Sequence, residues 1–117
     1  MTNLSAPISA KFAALSDPTR CAIVDRLCSG PATVSELGTP LPIAMPTLLQ
    51  HLRVLEASGI VSSMKLGRVR TCQVEPAALT QVEEWIAQRR AMWSRRLERL
   101  EDYLLAASSP ESTEPPK

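Results

Sequence analysis

Between Met45 and Ala57 the apolar residues Leu48, Leu52 and Leu55 recur at helical spacing, and just beyond them the period of the chain changes. From Ile60 to Val74 the pattern alternates. Val69, Thr71 and Val74 are β-branched, and Lys65-Leu66-Gly67-Arg68 has the composition of a hairpin turn. Gly59, at the junction, suits the left-handed residue that ends a helix. Upstream, Ile8, Phe12 and Leu15 share one face of a short helix. Ser16-Asp17-Pro18 then starts another, with Asp17 as cap and Pro18 at the first helical position, where no N–H is needed. This helix turns Ile23, Val24 and Leu27 inward and ends near Gly30. Thr33-Val34-Ser35-Glu36 reads as a capping box opening a third helix, kept short by Pro40 and Pro42. Pro76 opens the last helix, which extends to about Ala106, roughly 45 Å at 1.5 Å per residue. Its stripe comprises Leu79, Val82, Ile86, Trp93, Leu97, Leu100 and Leu104.

The order is thus four helices, two strands and a long helix: a mainly α fold with a small β-hairpin wing, in the arrangement of a winged helix-turn-helix. A chain of 117 residues without internal repeats fits one domain. That domain is expected over residues 8–106, with 1–7 as a flexible lead and 107–117 as a disordered, proline-containing tail.

Charge sharpens this picture only locally. The chain has 13 basic and 12 acidic residues, so its overall balance predicts no polyanionic partner. Within residues 44–74, however, Arg53, Lys65, Arg68 and Arg70 face a single acid, Glu56. Such a local surplus suits a phosphate-facing surface. The second helix of a helix-turn-helix lies in the major groove, which turns Met45, Thr47, Gln50 and His51 of helix 45–57 toward the bases. Gln50 has the amide that pairs bidentately with adenine. Arg53 either meets DNA or pairs with a nearby acid. On the hairpin over 61–74, Lys65, Arg68 and Arg70 have the reach for phosphates or a minor groove. Arg20, near a helix start, bonds either the DNA backbone or a neighbouring acid. About four cationic contacts hold DNA weakly at physiological salt, which favours two copies reading a palindrome. Trp85, Trp93, Leu97, Leu100 and Tyr103 offer more apolar surface than one small core needs, so the last helix supplies the means of pairing.

Leu15-Ser16-Asp17-Pro18-Thr19-Arg20, Val34-Ser35-Glu36-Leu37, Gln50-His51-Leu52-Arg53-Val54-Leu55-Glu56, Gly59-Ile60-Val61 and Gly67-Arg68 together resemble the ArsR-type bacterial repressors, over about residues 8–105. The resemblance implies a homodimeric, sequence-specific DNA-binding repressor, paired through its N- and C-terminal helices, so that Phe12 joins the interface. It implies double-stranded DNA and a second copy of the chain as partners, and leaves room for a small-molecule effector. No cofactor is expected. The pattern departs from the family at Ala44, where a Ser or Thr cap is usual, and at Leu49, usually Ser. A missing cap costs about 1 kcal/mol, partly offset by Pro46.

The family's metal sites need a cysteine pair before the recognition helix or a His/Asp set on the last helix. Ser35-Glu36-Leu37-Gly38 has no cysteine, and the single histidine, His51, lies on the reading helix, so no metal site of either type is expected. Cys21, Cys28 and Cys72 leave open an alternative, a thiol- or arsenical-responsive repressor, if tertiary structure brings them together. On one helix, Cys21 and Cys28 stand about 10 Å apart, too far for a disulfide. A further alternative is a winged-helix protein-interaction module that does not bind DNA. Catalysis has no support: there is no Ser/His/Asp set and no Gly-rich phosphate loop. The N-terminus lacks the pattern of an export leader, no run approaches ~18 apolar residues, and the odd cysteine count forms no disulfide framework. A cytoplasmic protein without membrane contact is the expectation.

Overall fold

Short-range signals start and stop the elements. In the computed structural model, which describes residues 5–108, α1 spans Ile8–Leu15 and α2 spans Pro18–Cys28. The Asp17 carboxylate accepts from the backbone N–H groups of Thr19 (2.9 Å) and Arg20 (3.1 Å) and caps α2. The Arg20 N–H, first among several causes, holds the Asp17 carboxyl below its ordinary value. The cap therefore contributes at neutral pH and is lost only as pH falls through that lowered value. The expected capping box opens α3 (Val34–Gly38): Glu36 N–H donates to Thr33 Oγ1 at 3.1 Å, and Thr33 N–H to Glu36 Oε1 at 2.8 Å. The helix α4 (Met45–Ser58) closes at Gly59, whose φ of 89° places it in the left-handed region. The strands β2 (Val61–Leu66) and β3 (Val69–Val74) meet at a two-residue turn, Gly67-Arg68, with Gly67 at φ 62°.

One strand was not expected from the hairpin pattern. Ala32–Thr33, here β1, pairs antiparallel with β3, Ala32 opposite Cys72 and Thr33 opposite Thr71, so the sheet order is β1-β3-β2. Two residues are too few to show periodicity. Only the presence of the β3 edge makes them a strand, and their pairing carries the start of α3 to the base of the wing. The last helix, α5, covers Pro76–Ser108. The expected lead and tail lie partly outside the described residues.

The chain divides into two units, one through Val82 and one from Glu83. The first holds the core: Ile23, Val24 and Leu27 of α2, Leu37 of α3, Leu48, Leu52 and Leu55 of α4, with Ile60, Val61, Cys72 and Ala78. Leu48, Leu52 and Leu55 are at most 1% exposed, as their spacing predicts. At Ser58 the hydroxyl donates to Leu55 O and accepts from Ile60 N–H, which satisfies a buried polar group beside the cap.

In α1 the buried face is rotated from the one the apolar pattern selects. Lys11 and Ala14 are buried, whereas Ile8, Phe12 and Leu15 are half-buried. Lys11 is 0% exposed, and its Nζ donates to Ala6 O at 3.2 Å. An ammonium taken from water at this depth regains only part of its lost hydration from the Ala6 carbonyl. Lys11→Met keeps the packed stem and removes the desolvated charge. Its thermal midpoint is expected to match or exceed wild type by up to about 5 °C, roughly 1 kcal/mol for a domain of this size. A fall of that size in thermal unfolding would show the Ala6 bond to outweigh desolvation.

The second unit is a single amphipathic stretch of α5. Met92, Trp93, Leu97, Leu100, Tyr103, Leu104 and Leu105 are each 45–69% exposed. The Arg89 guanidinium lies 4.3 Å from the centroid of the Trp85 ring, a cation–π contact that covers one face of the half-buried indole. Among the described residues, no helix is long and apolar enough to cross a membrane.

Candidate nucleic-acid interface

The helix-turn-helix consists of α3, the link Thr39–Ala44 and α4. Pro40 and Pro42 keep the link from continuing as helix. Ala44 supplies no side-chain cap; its carbonyl accepts from Thr47 and Leu48 N–H, each at 3.0 Å. Pro46 in the first turn needs no donor partner. With the leucine stripe turned inward, Thr47, Gln50 and Arg53 fall on the exposed face at steps of three, and Met45 at the helix start is 46% exposed. The Arg53 Nη1 donates to Gln50 Oε1 at 3.2 Å, which orients the amide one helical turn upstream. Leu49 is half-buried against the core.

Along the wing, β2 and β3 alternate between two faces. Ser63, Lys65 and Arg70 belong to one, and together with Thr33, Ser35, Met45, Leu49 and Arg68 they line a groove of about 720 Å³ between the wing and the α3–α4 pair. Hydroxyls at Thr33, Ser35 and Ser63 and the cations at Lys65 and Arg68 make it chemically suited to a phosphate backbone. Neither Thr33 nor Ser35 stood out as a contact residue in the sequence. The capping box that places both is the signal that could have found them.

Besides Gln50 and Arg53, two more of the residues expected to meet DNA have partners within the fold. Arg70 forms an ion pair with Glu56, and its Nε donates to Ser63 Oγ at 3.0 Å while Ser63 donates to Glu56 at 3.0 Å. The only acid in residues 44–74 is thereby matched to one of the four bases. The other such residue is His51, whose side chain is 16% exposed. Arg20 Nη1 donates to its Nδ1 at 3.1 Å, and Asp17 Oδ2 lies 3.9 Å away. Because arginine has no acceptor, this bond leaves the proton of a neutral ring on Nε2. Arg20 also donates through Nε to Ala14 O at 2.7 Å and through Nη2 to Ala13 O at 3.4 Å. One guanidinium thus ties the end of α1 and the start of α2 to the middle of α4. Arg53, Lys65 and Arg68 remain exposed.

The helix-turn-helix domain family matches residues 15–63, from the end of α1 into β2. A crystal structure of an ArsR family transcriptional regulator superposes with a TM-score of 0.72 at 46% identity, covering 74% of this chain and 96% of that one. The chain belongs to the ArsR family of transcriptional regulators. An ArsR-like transcriptional regulator from Rhodococcus sp. RHA1 gives a TM-score of 0.75 at 33% identity, over 82% of this chain and 91% of that one. The HTH-type transcriptional regulator Rv2034 of Mycobacterium tuberculosis is 44% identical over 66 residues, 56% of this chain but only 62% of the relative's length. The transcriptional repressor SdpR of Bacillus subtilis is 28% identical over 75 residues, 64% of this chain and 83% of that one.

In this ArsR family member the three cysteines sit in different settings. Cys21 is half-buried and its Sγ donates to Leu15 O at 2.9 Å, Cys28 is exposed, and Cys72 is buried. Burial pushes the Cys72 thiol above its ordinary value and so disfavours the reactive thiolate. Among the described residues, no group of three His, Cys, Asp or Glu side chains is placed to hold a metal ion.

Proposed function

We propose that the chain is a cytoplasmic, homodimeric repressor that binds a palindromic operator in double-stranded DNA, with α4 in the major groove and the wing on the flanking backbone. The observation that carries this reading is the groove between wing and helix-turn-helix. Glu56, the acid of residues 44–74, is paired internally with Arg70, which leaves Lys65 and Arg68 as exposed cations on the groove and Arg53 exposed on α4. Gln50 reads a base, Thr47 and Met45 contact base edges or the adjacent backbone, and Arg68 and Lys65 grip phosphate. Arg70 and His51 act at one remove: Arg70 holds the wing to α4, and His51 holds α4 to the α1–α2 corner while keeping one ring donor for the DNA side. The dimer forms through the exposed stripe of α5, with Trp93, Leu97, Leu100 and Tyr103 at its centre, Trp85 at its edge, and the half-buried Phe12 of α1.

The test is a mobility shift on a duplex from upstream of the chain's own gene, titrated with salt. Three exposed cations per protomer give about six contacts per dimer and a slope of log affinity against log salt of about −5. Arg68→Ala should weaken binding to every sequence and lower the slope by about one per protomer. Gln50→Ala should instead relax preference at one position of each half-site by roughly 1–3 kcal/mol and leave the slope alone. No shift at low salt would leave the interaction-module alternative standing.

A further inference from the structure

The two faces of the wing sheet carry opposite charge. Register sets Ser62 opposite Gln73 and Met64 opposite Thr71, and residues directly opposite each other share a face. These four side chains therefore project away from the face of Ser63, Lys65 and Arg70. With Pro31, Leu66 and Glu75 they border a second groove, of about 460 Å³, a volume in the range of small-molecule sites. Among the described residues that line it, Glu75 alone is charged. The phosphate-facing groove is the reverse, lined by Lys65, Arg68 and Arg70 and by no acid.

Polarity also changes along this second groove. At one end the Ser62 hydroxyl, on a residue only 7% exposed, donates to the Glu75 carboxylate. The Glu75 N–H donates to Ile60 O at 2.8 Å, which fixes the backbone that carries the acid. The amide of the exposed Gln73 stands opposite Ser62. Two residues further along β2, roughly 7 Å away, the lining becomes apolar: Met64 is 66% and Leu66 72% exposed. A ligand matched to this order has a cationic, hydrogen-donating head and an apolar body. A carboxylate accepts several bonds at once, so Glu75 can take an ammonium beside Ser62. The flexible thioether of Met64 suits an aromatic or branched body.

We propose that this outer groove of the wing binds an organic ammonium, its N–H groups donating to Glu75 and Gln73 and its apolar body lying over Met64 and Leu66. The site has a consequence that rests on the DNA-binding reading above: its occupancy shifts operator affinity. Ser62 and Met64 flank Ser63, and Thr71 follows Arg70. Ser63 and Arg70 are the residues that tie the wing to Glu56 of α4. A ligand that draws the outer side chains of β2 and β3 together therefore acts on the strands that hold Lys65 and Arg70 on the other face. Such coupling is reciprocal, so operator DNA changes the affinity for the ammonium by the same factor.

Phenethylammonium is the probe, with phenethyl alcohol as its uncharged counterpart, each titrated into the full chain and followed by backbone amide NMR shifts. A millimolar dissociation constant is the expected scale for a ligand of about nine heavy atoms, with shifts centred on Ser62, Met64, Thr71 and Gln73. The alcohol should bind at least about tenfold more weakly, the scale of one charge-assisted hydrogen bond. Gln73→Lys sets a fixed cation in the groove at an exposed position that leaves the core intact, and it should weaken ammonium binding by at least about tenfold. Glu75→Gln should do the same, with its thermal midpoint measured beside it because the Ser62 bond changes too. No shift at tens of millimolar probe, equal affinity for ammonium and alcohol, or undiminished binding by Gln73→Lys overturns the site. Saturating ammonium should also change operator affinity in a mobility shift by at least about threefold. An unchanged operator affinity overturns the coupling and leaves the ligand site. If wild type shifts no duplex, the DNA-binding reading falls, while the amide shifts still decide the site.

Discussion

Leu97→Glu combined with Leu100→Glu is expected to convert the protein to a monomer and to weaken operator binding by at least about 100-fold at 150 mM salt. Both leucines lie on the α5 stripe, 45% and 52% exposed in the single chain, among Trp93, Tyr103 and Leu104. In an isologous interface each position occurs twice, so the double variant withdraws four leucines. At about 1.5–3 kcal/mol for each one taken from full exposure to full burial, and with about half of each still exposed before pairing, the loss is on the order of 3–6 kcal/mol, a large part of the free energy of a micromolar association. Sedimentation equilibrium reads the oligomeric state and a salt-titrated mobility shift reads binding. The monomer retains only about three cationic contacts, so its salt slope should fall to about half that of wild type. The substitutions lie in the unit that begins at Glu83, whereas the buried core residues belong to the unit through Val82, so the circular-dichroism melt of that core should persist. A variant that stays dimeric would place the interface elsewhere.

Arg20→Met should have the second largest effect, and its readouts separate two roles for that residue. The guanidinium donates to Ala14 O, Ala13 O and His51 Nδ1. Hydrogen bonds from a charged donor contribute about 1.5–3 kcal/mol each where desolvated. Arg20 is only half-buried, so a total of about 2–3 kcal/mol is expected, equivalent to about 10–20 °C in thermal midpoint for a domain of this size. Loss of the His51 bond also frees the middle of α4, so operator affinity should fall with the salt slope unchanged. Arg20→Lys keeps the charge, but an ammonium lacks the planar fork that reaches three acceptors at once, and it should restore only part of both losses. An Arg20 that instead touched the DNA backbone would give the reverse pattern: unaltered melting and a reduced slope.

The contrast between Arg20 and Arg70, on one side, and Arg68, on the other, shows where reading from sequence stops. All three are basic residues near expected DNA-facing elements, and composition treats them alike. The structure gives Arg70 to Glu56, 14 residues away, and Arg20 to His51, 31 residues away. Arg68, at the tip of a two-residue turn, stays exposed. Its position was legible because a turn is a local property. The other two were not, because their partners are chosen by how α4 packs.

The same distinction holds through the fold. Asp17 and Pro18, Thr33 and Glu36, Gly59, Gly67 and Pro76 mark element ends through hydrogen bonds or backbone angles that act within about four residues. Those boundaries, the leucines of α4, the hairpin and the long terminal helix therefore follow from the order of the residues alone. The pairing of Ala32–Thr33 with β3, the burial of Lys11 where Phe12 and Leu15 were the apolar choice, and the internal use of His51 and Arg70 do not. Each depends on which surface packing brings opposite, and no periodicity within an element carries that information.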